Sequence, residues 1–342
     1  MLFIIMTGWL LHIGQDLLIP ILVALIAVYV LVAAADWLAR VPLVGRWPVW
    51  ARRVLVLLGF FAAGFVLVMI IISTAEQVVA AAPRYQENLG NLFARVTAWL
   101  NLDAQESLQK LRAATLDKVN LQALLGGVLG SVGSLFGMVT LVAIYMAFLL
   151  AERGSFAHKL AVAMPGARAD EVRRVIGEVN QKIGRYLGVK TFVNAILGVL
   201  SWAVMWWFGV DFAVFWALII ALLNYIPYVG SFLGVIFPVL LTLAQFGSLQ
   251  TTLLVAAFLS AAQFYIGNVL EPKMVGKQVN LSPFVVLVAL SLWGSLWGVA
   301  GAILAIPLTS MIAIICAAFP GTRAIAVMLA EDVDGFDSRN SL

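Results

Sequence analysis

Three stretches in the second half of the chain hold the residues whose types and spacing suit them to handling a polar molecule inside a membrane. NYIPYVGSFLG supplies Asn224, Pro227, Gly230 and Gly234. GNVLEPKMVGKQVNLSP supplies Asn268, Glu271, Pro272 and Lys273, and WGSLWGVAGAILAIPL supplies Gly298 and Gly301. The chemistry on offer is non-covalent. Asn224 and Asn268 can hydrogen-bond either a polyhydroxylated ligand or backbone carbonyls freed from a helix. Glu271 is the acid nearest the presumed core, and an intramembrane acid is a functional candidate; Lys273 or Lys277 can equally neutralise it at the interface. Pro227 and Pro272 lack an N–H and disfavour helix at Ile226 and Glu271. Gly230, Gly234, Gly267 and Gly276 permit backbone conformations that other residues resist. Asp211 is expected to cap the helix that starts at Phe212. Gln245 and Gln263 are further polar candidates.

Unwound backbone at membrane depth is tolerated only where protein or a water-filled cavity satisfies its polar groups. Interrupted apolar segments therefore point to a transport site. Covalent chemistry has no comparable support. No GxxxxGK[ST] phosphate loop, HExxH zinc motif or GxSxG elbow occurs, so neither a nucleotide-driven pump nor an enzyme is expected. His12 and His158 lie far apart and Cys316 is the single cysteine, which leaves no zinc ligands and no internal disulfide. No cofactor is expected.

The elements that must position these residues are membrane helices. Apolar residues make up 63% of the 342 and charged residues 11%, with mean hydropathy +1.04. The net charge of +4 is too small and dispersed for a nucleic-acid partner. Apolar runs cover 2–11, 17–35, 54–72, 127–150, 187–208 and 251–266, the first being short for a crossing. Two more, 212–246 and 283–319, would each measure ~52–56 Å as straight helices, against a hydrocarbon core of ~30 Å. Each must fold back, break or tilt. The expected fold is all-α: a polytopic transmembrane helical protein with about eight membrane segments, two of them broken or hairpin-like, plus an external helical segment.

Along the chain this gives N-terminal membrane helices (1–73), an extracytoplasmic helical segment (74–126), a membrane helix (127–151) and a cytoplasmic amphipathic linker (152–186). A transport core with broken helices (187–320) and a cytoplasmic tail (321–342) follow. Arg40, Arg46, Arg52 and Arg53, and the eight basic residues between Glu152 and Lys190, mark two cytoplasmic loops. The electrically neutral 76–118 segment belongs outside. There Tyr85, Leu89, Leu92, Phe93, Val96, Trp99 and Leu100 recur at helical spacing, and Asp103 with Glu106 resembles a capping box opening a second helix. This hairpin is a packing or oligomerisation element, or a lid. The stripe Val172, Val175, Ile176, Val179, Ile183 and Leu187 suggests a helix lying in the membrane interface before the next span.

The two over-long runs resemble each other. Phe212–Leu218 aligns with Phe284–Leu290; paired glycines follow (Gly230 and Gly234; Gly298 and Gly301), then a proline (Pro238; Pro307). If both are hairpins, the first opens outside and the second to the cytoplasm, as in transporters built from oppositely oriented repeats. If both are broken single spans, Lys273 and Lys277 lie outside.

The three quoted stretches, in their order and spacing, resemble the signature segments of the autoinducer-2 exporter family of bacterial membrane permeases, over nearly the whole chain. The N-terminus is abbreviated relative to that pattern. The resemblance implies a multi-pass inner-membrane transporter, expected to be a homo-oligomer. It also implies a cargo of either a small polar signal molecule of the furanosyl quorum-sensing type or monovalent cations exchanged for protons. A passive channel and a structural membrane protein stand as alternatives.

Overall fold

The structure, a computed structural model, describes residues 2–42, 44–99, 121–163, 167–275 and 279–333. It contains helices α1 (Leu2–Ile13), α2 (Gln15–Leu38), α3 (Val49–Trp99), α4 (Leu121–Ala163) and α5 (Ala167–Trp207). These are followed by α6 (Ala213–Leu223), α7 (Val229–Phe246), α8 (Leu249–Tyr265), a π-turn (Ile266–Leu270) and α9 (Glu271–Val275). The last helices among the described residues are α10 (Pro283–Ala318) and α11 (Arg323–Leu329). Seven stretches among the described residues are long and apolar enough to cross a membrane, and the shorter α6 is apolar as well. The expected polytopic helical fold is therefore present.

The chain divides into two compact units that interleave along the sequence. The first comprises Met1–Ala62, Met138–Phe192 and Pro272–Leu342; the second comprises Ala63–Gly137 and Val193–Glu271. Each unit contains one of the two over-long apolar runs, and each run folds back on itself.

In the second unit, α6 stops at Asn224 because Pro227 cannot continue the helix. The turn is closed by Tyr228, a non-glycine residue at φ 61°, ψ −58°, across which the Val229 N–H donates to the Pro227 carbonyl at 2.6 Å. This is a γ-turn of the rarer hand, a conformation worth ~1–3 kcal/mol of strain. It brings α7 back so closely that a Cβ on Gly230 would fall on the Leu223 carbonyl. Gly234, one turn on, meets Ile220 only at an ordinary 3.6 Å. At the open end, the Asp211 N–H donates to Gln245 Oε1 at 2.7 Å, and Gln245 Nε2 donates to the Gly209 carbonyl at 2.8 Å. The two limbs thus start and finish side by side.

In the first unit, α10 breaks at Trp297 (φ −132°, ψ 15°) and Gly298 (φ 60°, ψ −138°). Gly298 supplies a backbone angle that side-chain-bearing residues avoid. The limbs then run back to back: Trp293 Nε1 donates to Thr309 Oγ1 at 3.1 Å, and a Cβ on Gly301 would fall on the Trp293 carbonyl. Ser282 caps the first limb through the Val285 N–H, 3.3 Å from its Oγ, with Pro283 in the first turn. The tip is held by the end of α1, where the Leu11 carbonyl accepts Trp297 Nε1 at 3.0 Å. At the hairpin's other end, Asn280 Oδ1 accepts the Glu331 and Asp332 N–H groups at 3.1 and 2.9 Å.

The internal repeat is therefore a pair of hairpins, with a different residue match from the one the letters suggest. Gly230 and Gly301 are the equivalent close-approach glycines. Gly298 is the counterpart of Tyr228, each carrying the positive φ of the turn.

Three sequence expectations need correction. Residues 76–99 form no separate loop helix but continue α3 without a break, past Pro83, to Trp99; the helix expected after Asp103 lies outside the described residues. The stripe from Val172 to Leu187 belongs to the same unbroken helix as the following span. Its Ile183 and Leu187 pack with Tyr29 of α2 and are flanked by Ile306 and Met311 of α10, so protein covers the face expected to meet lipid. Within the Gly267–Pro283 stretch, the part up to Val275 is less broken than its glycine and proline imply. The helix passes from α8 through one π-turn into α9, with the Glu271 N–H reaching back to the Ile266 carbonyl. That wider turn removes the clash between the Pro272 ring and the carbonyl four residues earlier, so Glu271 stays helical.

Candidate functional site

The first hairpin's tip places a run of amide and hydroxyl side chains inside otherwise apolar surroundings. Asn224, at the end of α6, is 4% exposed, and Asn194, in the middle of α5, is 2% exposed. Asn224 Nδ2 donates to Asn194 Oδ1 at 2.8 Å. Asn224 Oδ1 accepts Gln263 Nε2 from α8 at 2.8 Å and, more weakly, Ser231 Oγ from α7 at 3.5 Å. Gln263 Nε2 also lies 2.9 Å from Ser231 Oγ. Four helices thus converge on one chain of hydrogen bonds. Gln263 and Ser231 are half-buried; the two asparagines are enclosed.

The backbone explains why these groups meet. On α5, one turn beyond Asn194, Gly198 lets α6 approach until a Cβ there would stand 3.2 Å from Ala221 Cβ and 3.3 Å from the Ala217 carbonyl. Small residues at such a crossing draw helices together where lipid supplies no hydrophobic drive. The γ-turn then sets Ser231, in the first turn of α7, beside Asn224.

One buried polar atom of the cluster has no partner. Asn194 Nδ2 is buried and has no hydrogen-bond partner. A buried donor left unmet costs ~1–3 kcal/mol. Reversing any single amide of the three would set two like groups face to face, so the chain keeps its polarity as a unit. No carboxylate, amine or imidazole takes part in these bonds, and no group of three or more His, Cys, Asp or Glu suited to a metal occurs among the described residues.

The expected site residues divide accordingly. Asn224 is central, and Pro227 and Gly230 build the turn beside it. Gly234 sits in ordinary helix packing. Asn268 turns to its own helix, donating from Nδ2 to the Phe264 carbonyl at 3.1 Å, within the π-turn. Glu271 and Pro272 are helical, Glu271 half-buried and engaged, Lys273 exposed. Gly298 and Gly301 shape the other hairpin, in the other unit. Asp211 does not cap α6, because Phe212 at φ 58° takes the cap position; its carboxylate pairs instead with Arg84 and accepts Tyr85 Oη at 2.7 Å. Gly276, Lys277 and Gln278 fall outside the described residues.

Sequence reasoning singled out Gln263 only in passing and missed Asn194 and Ser231. A signal for Asn194 existed: Ile183, Leu187, Asn194, Leu197, Ser201 and Met205 follow one helical stripe and are all buried. A polar residue on the buried stripe of an apolar helix marks an interior contact.

Comparison with known proteins places this geometry in context. Residues 1–321 match the family described as AI-2E family transporter. A candidate transport protein of Haemophilus influenzae is 30% identical over 299 residues, covering 85% of this chain and 84% of that protein. The AI-2 transport protein TqsA of Escherichia coli K12 is 28% identical over 340 residues, covering 97% and 94%. A candidate transport protein of Borreliella burgdorferi is 35% identical over 192 residues; that match spans about half of each chain, 56% of this one and 53% of the other.

Proposed function

The chain belongs to the AI-2E transporter family, and from that membership we propose that it carries a small, uncharged polar solute out across the bacterial inner membrane, driven by an ion gradient. The observation that carries the reading is the hydrogen-bonded cluster Asn194–Asn224–Gln263–Ser231 at the tip of the first hairpin. Buried amides in an apolar bundle are costly unless they pair or serve a ligand. Here one pairs incompletely. Amides and hydroxyls recognise hydroxyl and carbonyl groups by direct hydrogen bonding, and the bonded cluster contains no formal charge to attract an ion. The absence of a phosphate-binding loop favours a gradient as the energy source.

Flux from liposomes containing the purified protein tests this. The panel is AI-2, taken from the name of the relative TqsA, ribitol as a simple neutral polyol, and sodium, each with and without a proton gradient. Saturable efflux of a neutral member, accelerated by the gradient, is expected. Flux of sodium alone, or single-channel current steps, would overturn the reading.

A further inference from the structure

We propose that Asn194 is a solute-binding residue whose Nδ2 donates to a hydroxyl or carbonyl oxygen of the cargo, at the inner end of a polar chain whose outer end is Gln263. The inference rests on the transport reading above and assigns the cargo-facing group within it.

Three observations converge on Asn194. The residue is 2% exposed, yet its Nδ2 has no partner while its Oδ1 is taken by Asn224. The hydrogen-bond chain runs from half-buried Gln263 and Ser231 inward through Asn224, and ends on this amide. Finally, the unpartnered atom is a donor, so it selects an electron-rich oxygen and offers nothing to a metal cation. Lys190, one turn earlier on α5 and 4% exposed, has a partner of its own. The conformation seen here is closed over the amide. A solute reaches it when Gln263 and Ser231 part from Asn224, and a cargo hydroxyl then accepts from Asn194 Nδ2 and donates to the Asn224 oxygen that Gln263 has released.

An ordered water would satisfy the same donor without any role in transport, so the experiment must separate the two. Asn194→Asp keeps the oxygen that accepts from Asn224 and replaces the donor with a second oxygen. Proteoliposomes containing the full chain are loaded with the neutral solute, AI-2 or ribitol, that the wild type exports, and initial efflux is measured against internal concentration. The expected result is a half-saturating concentration raised about tenfold, the loss of one good hydrogen bond. Asn194→Ser, shorter and unable to reach, serves if the aspartate variant does not assemble, and the same rise is expected. Unchanged half-saturation in the assembled variant, with normal wild-type efflux, shows a water or purely structural amide and overturns the assignment alone. A wild type that moves neither AI-2 nor ribitol under either gradient condition, or moves sodium only, overturns the assignment together with the transport reading.

Discussion

Gly230→Ala should abolish solute flux and lower the unfolding temperature, whereas Gly234→Ala, one turn further along the same helix, should do neither. The two glycines look equivalent in the letters but not in space. A methyl at position 230 would fall on the Leu223 carbonyl, and neither partner is a side chain that can swing away. Overpacking of side chains costs ~1–3 kcal/mol, and a backbone-on-backbone clash lies at or beyond the top of that range. The chain can relieve it only by opening the γ-turn at Tyr228, which would carry Ser231 away from Asn224. At position 234 the added methyl meets Ile220 at ordinary contact distance. Gly301→Ala should behave as Gly230→Ala does, since its methyl would strike the Trp293 carbonyl. Gly298→Ala has open space but a backbone angle costing ~1–3 kcal/mol, so its loss should be intermediate. Thermal unfolding of the purified variants and flux per incorporated protein read both effects. Equal damage from Gly230→Ala and Gly234→Ala would contradict the tight-turn account.

Asn224→Leu should reduce flux at least about tenfold, the loss of the one contact its oxygen makes to the solute. Leucine keeps the same branched arrangement of side-chain heavy atoms but withdraws the donor to Asn194 and the acceptor for Gln263. The single variant should also lose stability, because the Asn194 amide is then buried with no partner at either end, at ~1–3 kcal/mol per stranded group. That alone would not separate a solute site from a structural network. The double variant Asn194→Leu, Asn224→Leu does. Replacing both partners with apolar groups of similar shape removes the stranding and should restore the unfolding temperature. Flux should stay low. A double variant that is stable and transports normally would show that the amides only hold the helices together.

The architecture was largely readable from the letters because membrane spans are set by length and apolarity, which are local quantities. Length showed that 212–246 and 283–319 must fold back, break or tilt, and Pro227 marked the first turn correctly; the choice of folding back depends on the turns at Tyr228 and Gly298. Glycine roles were not readable, since Gly230, Gly234 and Gly301 differ only in what lies across from them. The positive φ of Tyr228 had no signature, tyrosine being a residue that normally avoids it. Pro272 misled because the π-turn before it, a matter of hydrogen-bond register, absorbs the proline. Asp211 misled because its partners, Arg84 and Tyr85, lie over a hundred residues earlier in the chain. Asn194 escaped notice as an isolated polar residue in the apolar span 187–208; its meaning comes from Asn224, thirty positions later.

The claim at the centre of this account is that solute occupies the tip of the first hairpin, and Ser231 is placed to report it. With Cys316→Ser removing the single native thiol, Ser231→Cys substitutes sulfur for oxygen at the half-buried outer end of the cluster. The rate of modification by a small water-soluble thiol reagent in proteoliposomes, with and without saturating transported solute, is the direct measurement. The expected result is modification that the solute slows at least several-fold, with half-protection at the concentration that half-saturates flux. A cysteine at 231 that reacts at the same rate with and without a solute the protein demonstrably carries would contradict it.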